Sequence, residues 1–482
     1  MSQAALGVAG LPYIVNSNLS RAETSKTNKL NFVFFLVDDW GWTDAGSLGS
    51  KFYETPNIDR IAGQGMRFIN GYSACTVCSP TRASILTGKY PARLHVTDWI
   101  SGHKYDYAQL KVPDWTQYLP LEEITIAEAL KPAGYVSASI GKWHLGDENF
   151  YPEKQGFDLN IAGTNLGSPP SYFYPYKRDS LNISTLHRGK EGEYLTDRLT
   201  DEAEAFIGKN KNQPFFLYLA HYAVHLPLQA KQVMIEKYKL KVNPDYLHNN
   251  PTYAAMIQSV DESVGRITKK LNELKIADRT VFIIMSDNGG VAFENRHVTS
   301  NKPLREGKGT AYEGGVRVPF IISLPGVVKP GSTCDVPVSS IDFYPTILEM
   351  AQVKDVQSHS VDGLSLVPLL NQSGTIDREA LYWHYPHYHP FGATPYGAIR
   401  KGDFKLIEFY EDNHIELYNL KEDVGERINL AVKMTEKANE LRTMLHNWRK
   451  SVNAQMPSPN PNYDSTKARL YDGQWLRNIM QK

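Results

Sequence analysis

Cysteine is scarce in this chain of 482 residues: only Cys75, Cys78 and Cys334 occur. Three thiols cannot build the disulfide framework on which small secreted scaffolds depend, so chemistry or burial has to account for them. Net charge is also missing, with 52 Lys plus Arg set against 52 Asp plus Glu. There is thus no net basic field of the kind that drives general adhesion to a nucleic acid backbone or an anionic membrane, and selectivity for an anion must come from a local site. Long apolar runs are absent too: those at 32–37 and 281–285 fall far short of the roughly 20 residues that cross a bilayer. No membrane span is expected. The first twenty residues lack the basic start and continuous apolar stretch of a secretion signal, so either the chain works in the cytoplasm or such a signal has been trimmed.

What is present is material for a large core, since 41% of the residues are apolar. Four continuous apolar runs, 31–39, 135–140, 215–220 and 281–285, read as strands buried on both faces, as in a largely parallel sheet. Helical patterns fall between them at 57–62, 124–133, 196–208 and 252–274, and this alternation indicates an α/β fold with a large, mostly parallel sheet sandwiched by helices. After about residue 374 the pattern changes to short strands at 380–384, 396–400, 404–409 and 415–419, followed by a helix at 429–450 and an irregular tail at 456–464. We therefore expect two parts, a catalytic α/β domain over 27–374 and a C-terminal subdomain over 375–482 with a smaller antiparallel sheet and a helix.

In open α/β sheets ligands bind beyond the carboxyl ends of the strands. The residues at those places are Asp38 and Asp39, then the segment 141–144 with Lys142 and His144, then His221 and His225, then Asp287 and Asn288. Adjacent acids repel unless a cation lies between them, and an all-oxygen donor set suits a hard ion such as calcium or magnesium. One such acid pair would more often cap a turn; two pairs on one sheet shift the balance towards a metal. Cys78 opens the run Cys78, Ser79, Pro80, Thr81, Arg82 ahead of a helical stretch at 83–87, and a thiol at a helix N-terminus should ionise more easily. Cys75 and Cys78 also form a C-x-x-C that could be a redox pair or half a zinc site, although no second such pair supports zinc.

The pattern C-x-P-x-R within 78–82, followed by Leu86, Thr87 and Gly88, resembles the signature of the type I sulfatases, a family of the alkaline phosphatase superfamily. The other motifs follow in that family's order: Asp38 and Asp39, the GKWHLG of 141–146, His225, Asp287 with Asn288, and the GKGTAYEGGVRV of 307–318 carrying Lys308. The resemblance runs from about residue 31 to 370 and more weakly to 431; Thr81 stands where serine is commoner, at a position the pattern leaves free. It implies that Cys78 is oxidised after synthesis to formylglycine by a separate formylglycine-generating enzyme, and that Asp38, Asp39, position 78, Asp287 and Asn288 bind Ca2+, with Mg2+ as the alternative. It further implies that the hydrated aldehyde attacks sulfur while Lys142 and Lys308 hold sulfate oxygens and Arg82 anchors position 78. His225 would protonate the departing alcohol, and His144 would act as the base that lets the second hydroxyl expel sulfate. An ordinary alcohol nucleophile could not release sulfate in this way.

For the substrate, the dense aromatic and histidine segment 382–389 with His384 and His387, together with Asp98, Trp99 and His103, offers sugar-binding faces or, equally, a packed seam between the two parts. Similarity to bacterial polysaccharide sulfatases implies an exo-acting enzyme on a sulfated carbohydrate, with galactose-type 4-sulfate preferred, and a periplasmic or secreted address. Two other readings stand beside it: a phosphonate or phosphate ester hydrolase of the same superfamily, and a non-catalytic glycan-binding relative.

Overall fold

The computed structural model describes residues 29–293, 296–353 and 360–468. The first twenty residues, the start of the expected catalytic part at 27 and the end of the C-terminal part beyond 468 lie outside the described residues.

Eight strands form the main sheet: β1 (Asn31–Val37), β2 (Met66–Phe68), β3 (Val136–Gly141), β4 (Leu159–Ile161), β5 (Phe215–Ala220), β6 (Thr280–Ser286), β7 (Phe320–Ser323) and β8 (Ser332–Cys334). They lie in the order β8, β2, β7, β6, β1, β5, β3, β4. Every pairing is parallel except the two made by β7. All residues of β1, β5 and β6 are buried, which explains why these strands read as continuous apolar runs.

Helices cover both faces. On one lie α1 (Pro56–Gln64), α4 (Leu195–Lys209) and α5 (Pro251–Glu273), packed with Val33, Phe35 and Val37 of β1. On the other lie α2 (Cys78–Thr87), α3 (Ile126–Leu130) and α6 (Phe343–Met350), packed with Phe32, Phe34 and Leu36. The alternation of a single strand thus feeds two cores. The helix expected over 124–133 is shorter. Thr125 caps α3 reciprocally with Glu128, and after Leu130 the chain tightens into a 3-10 turn, Lys131–Ala133, that ends on Gly134 at φ 81°.

The C-terminal part forms an antiparallel sheet of β9 (Leu381–Tyr385), β10 (Tyr396–Lys401), β11 (Phe404–Phe409) and β12 (Ile415–Asn419), on which α7 (Thr435–Ser451) packs through Leu441, Leu445 and Trp448. This helix starts later than the expected 429. The Asn429 side chain accepts from the Leu417 and Ala431 amides and so fixes a loop instead. The tail is irregular, as expected, apart from Ser458–Pro459, which pairs with Leu110–Lys111.

One consequence of register matters for function. Val37 is level with Ser286, Leu36 with Ala220, and Ala220 with Gly141. The residues that follow, Asp38, Asp287, His221 and Lys142, therefore leave the sheet along one carboxyl edge.

Candidate active site

At that edge three carboxylates and three cations interlock, all of them buried. Lys142 Nζ donates to Asp38 Oδ2 at 2.6 Å, and Lys308 Nζ to Asp39 Oδ1 at 2.6 Å. Arg82 gives two bonds to Asp287 Oδ2, at 3.0 and 2.8 Å, and a third to the Lys142 carbonyl at 2.7 Å. Asn288 Nδ2 donates to Asp39 Oδ1 at 2.7 Å. Gly141 makes the Lys142 turn possible: at φ 105° a Cβ there would lie 1.9 Å from the Ala220 carbonyl, the group to which the Lys142 amide donates. Asp39 and His144 hold left-handed backbone, at φ 60° and 59°, a conformation that ordinary side chains adopt rarely.

Cys78 is the first residue of α2, and its Sγ lies 3.3 Å from His144 Nδ1. The other ring nitrogen, Nε2, contacts the Ile100 carbonyl, which can only accept, so Nε2 carries the hydrogen and Nδ1 presents its lone pair to position 78. Burial and the Lys142 charge hold the His144 ring well below the usual histidine range, in the neutral form. The expectation that Cys78 ionises more easily is corrected by the structure. Burial pushes the thiol up, and the pull of Lys142 and Lys308 is opposed by Asp38 and Asp287. Thr81 fits its place: its hydroxyl donates to the Cys75 carbonyl at 3.1 Å and accepts from the Cys75 amide at 3.2 Å, tying the loop to the first turn of α2. Cys75 packs among Tyr72, Val77 and Trp383, and both thiols are free.

The oxygen atoms fit a hard cation. Asp38 Oδ1 and Asn288 Oδ1 are buried without a hydrogen-bond partner, and one carboxylate oxygen each of Asp38 and Asp39 and a ring nitrogen of His225 lie within 4.8 Å of one another. Burial, helped by Asp287 and Asp39 and opposed by Lys142, pushes the Asp38 carboxyl up to about 7. Burial would raise Asp39 as well, but Lys308, His225 and Lys142 outweigh it and hold that carboxyl low. Negative charge is thus crowded around unsatisfied acceptors, a setting that a divalent ion relieves.

These groups open into a cavity of about 700 Å3, lined by Asp39, Cys78, His144, His225 and Lys308. Residues 30–353 match the family model described as Sulfatase. The chain belongs to the sulfatase family. A second model, described as N-sulphoglucosamine sulphohydrolase, C-terminal, matches 307–455. A protein named Sulfatase from Formosa agariphila is 33% identical over 86% of this chain and 87% of its own length, and human N-acetylgalactosamine-6-sulfatase is 34% identical over 73% and 68%. Among solved structures, that of Ps i-CgsB in complex with k-i-k-neocarrahexaose is similar with a TM-score of 0.74 and 29% identity, covering 94% of this chain and 100% of that one. This sulfatase is accordingly a sulfuric ester hydrolase with the alkaline phosphatase-like architecture described above.

The sugar-facing residues expected from sequence are scattered. Trp99 lines the sulfatase cavity, with His103 edge-on against its ring at 5.1 Å. Asp98 lies beneath the wall, fully buried, accepting from the Tyr385 hydroxyl at 2.7 Å, and burial pushes its carboxyl up to about 7. His384 and His387 do not reach the cavity. His384 bridges the Tyr410 hydroxyl and the Gln455 carbonyl at 2.8 and 2.7 Å, and His387 meets the Thr97 hydroxyl at 2.8 Å, so both belong to the seam. The histidine of that segment which does line the cavity is His389, backed by Gly309, where a Cβ would lie 2.2 Å from its Nδ1. His221, the other histidine after β5, is buried and contacts the Ser263 hydroxyl at 3.0 Å.

Proposed function

We propose that this sulfatase removes sulfate from a carbohydrate monoester, exo-acting, with formylglycine at position 78 as nucleophile and Ca2+ held by Asp38, Asp39, Asp287, Asn288 and position 78. The observation that carries this reading is the Cys78–His144 contact at 3.3 Å in the floor of the cavity, with Lys142 and Lys308 on either side of the acids. When present, formylglycine supplies a hydrated aldehyde able to attack sulfur, and the cation withdraws charge from the sulfate oxygens. Calcium is preferred to magnesium because the donors are all oxygen and several, and magnesium keeps more of its water.

The chain's own groups supply the rest. Arg82 holds Asp287 and the Lys142 carbonyl, fixing α2 against the acids. Lys308 and Lys142 place positive charge beside position 78, where sulfate oxygens would lie. His144 Nδ1 is the acceptor for a proton leaving that position. His225 lines the cavity and donates its Nδ1 hydrogen to the Leu226 carbonyl at 2.8 Å, which leaves Nε2 as the acceptor nitrogen, 3.6 Å from Asp39 Oδ2. Burial holds that ring down to about 3, and the arrival of an anion beside it favours the protonated form that can serve the leaving oxygen. Alanine at His225 should slow an alkyl or sugar sulfate by about 10²-fold or more, and a nitrophenyl sulfate by much less. Equal losses on both would remove His225 as the proton donor.

Two measurements test the reading: the mass of the peptide containing residue 78, lighter when the aldehyde is present, and turnover of an aryl sulfate beside the matched aryl phosphate. Equal or faster phosphate turnover would favour the phosphonate or phosphate hydrolase. Absence of hydrolysis with the aldehyde confirmed would favour the glycan-binding relative. The complete set Asp38, Asp39, Cys78, Arg82, Lys142, His144, His225, Asp287, Asn288 and Lys308 speaks for catalysis, since a binder has no need of all ten. For the sugar we keep a galactose-type residue sulfated at O4. The name of the human relative also points to a galactose configuration but to O6, so a panel must carry both positions. A periplasmic or secreted address, a partner enzyme that oxidises Cys78 and a boundary between parts near 374 complete the proposal. No helix among the described residues is long and apolar enough to cross a membrane. Chelation should abolish turnover and lower the thermal midpoint, with added Ca2+ restoring both better than Mg2+.

A further inference from the structure

We infer that Arg178 is the receptor for a second anionic group on the substrate, a carboxylate or a further sulfate, so that the enzyme prefers a doubly charged glycan unit. The inference rests on the carbohydrate reading above and adds a specificity element to it.

Arg178 lines the same cavity as Cys78 and His225, yet it belongs to an exposed two-stranded hairpin, Lys177–Arg178 paired with Leu181–Asn182. The other cations around the reacting position are each tied to an acid: Arg82 to Asp287, Lys142 to Asp38, Lys308 to Asp39. Among the described residues no carboxylate pairs with Arg178. A guanidinium left unneutralised on a cavity wall presents a fork of donors that matches carboxylate and sulfate oxygens in the bidentate manner.

The hairpin is held where this would matter. Upstream, the Tyr172 hydroxyl donates to the carbonyls of Tyr222 and His225 at 2.7 and 2.8 Å, and the Tyr172 amide donates to the Gln229 side chain at 2.8 Å. Downstream, Tyr194 gives its hydroxyl to the Gln229 carbonyl at 2.8 Å. The excursion 172–194 is thus fastened at both ends to the segment that carries His225 and lines the cavity with Leu226, Pro227 and Gln229. A cavity of about 700 Å3 has room for more than a sulfate, so an anion at Arg178 belongs to the remainder of the bound unit rather than to the scissile group.

The test compares kcat/KM for three substrates in wild type, Arg178→Ala and Arg178→Lys: a singly charged aryl sulfate, a disulfated monosaccharide, and a sulfated disaccharide containing a uronic acid. The readout is the ratio of each doubly charged substrate to the aryl sulfate. Wild type should favour at least one doubly charged substrate, and Arg178→Ala should cut that ratio about tenfold, the scale of one charge-assisted hydrogen bond, mainly through KM. Arg178→Lys should recover part of it. Loss confined to the disulfated sugar identifies sulfate as the second anion, and loss confined to the uronate identifies carboxylate. Ratios unchanged by Arg178→Ala, including the case where all three substrates fall together, overturn the inference. So does a wild type without preference for a second charge, while its aryl sulfate turnover leaves the sulfatase reading intact.

Discussion

Cys78→Ala is expected to lower kcat/KM on an aryl sulfate by about 10⁴-fold or more, the scale of losing a covalent nucleophile whose surroundings remain in place. The surroundings should remain, because the ion pairs of the site run between Arg82, Lys142, Lys308 and the aspartates and do not pass through the thiol. Protein made without the enzyme that oxidises Cys78 should behave alike, since the unoxidised thiol is buried and pushed away from its ionised form. Cys78→Ser separates the chemical roles. A plain hydroxyl beside His144 Nδ1 can attack sulfur once but carries no second hydroxyl to expel sulfate, so one equivalent of alcohol should appear in a burst and then stop. Sustained turnover by Cys78→Ser would sink the aldehyde mechanism, and unchanged turnover by Cys78→Ala would place the nucleophile elsewhere. Thermal unfolding of each variant, compared with wild type, separates lost chemistry from lost fold.

Asp38, Asp39, Lys142 and Asp287 were legible for a physical reason, whereas Cys78 was marked by its place ahead of a helix and, like Lys308, by the resemblance of its motif. A fully buried parallel strand must read as an unbroken apolar run, and whatever polar residues follow it at the carboxyl edge have no partner in the sheet. Register then brings Asp38 and Asp287 side by side although 248 positions separate Asp39 from its contact with Asp287. The histidines of β9 and its exit were not legible in the same way. Within β9, Trp383 and Tyr385 turn to the cluster around Tyr72, and His384 turns the other way, to Tyr410. Which of His384, His387 and His389 meets the cavity depends on how the chain leaves β9 and passes Gly309, and no local pattern reports that. Arg178 was equally hidden, because an arginine in a polar loop looks like any solvated charge until the fold brings its hairpin to the cavity wall. The thiol's ionisation was misjudged for a related reason: the helix N-terminus is visible in sequence, and the burial that outweighs it is not.

Lys405→Met should be the most damaging substitution outside the site, costing about 3–5 kcal/mol because it strands a buried charge. Lys405 on β11 has no solvent exposure and pairs at 3.0 Å with both Glu313 and Glu426, themselves fully buried. Glu313 belongs to the segment that begins with Lys308, also accepts from the Tyr72 hydroxyl at 2.6 Å, and has Arg317 within 3.5 Å. Glu426 accepts from the Glu313 amide at 2.7 Å, so this cluster pins the C-terminal sheet to the segment carrying Lys308. Removing the ammonium leaves Glu313 with Arg317 but deprives Glu426 of its cation. Burial, with Lys405 lowering and Glu313 raising, already pushes the Glu426 carboxyl up to about 7. A carboxyl raised in the folded state stabilises at pH below its unfolded value and loses that contribution as pH rises through the folded one. Without Lys405 the Glu426 carboxyl rises further, so the loss in Lys405→Met should be smaller at pH 5 than at pH 8. Adding Glu426→Gln should recover part of the stability, since a neutral amide need not be paired with a cation. Denaturant unfolding of the two variants at both pH values checks this, and a loss equal at pH 5 and pH 8, or no recovery in the double variant, would show that packing around Lys405 rather than its charge holds the seam.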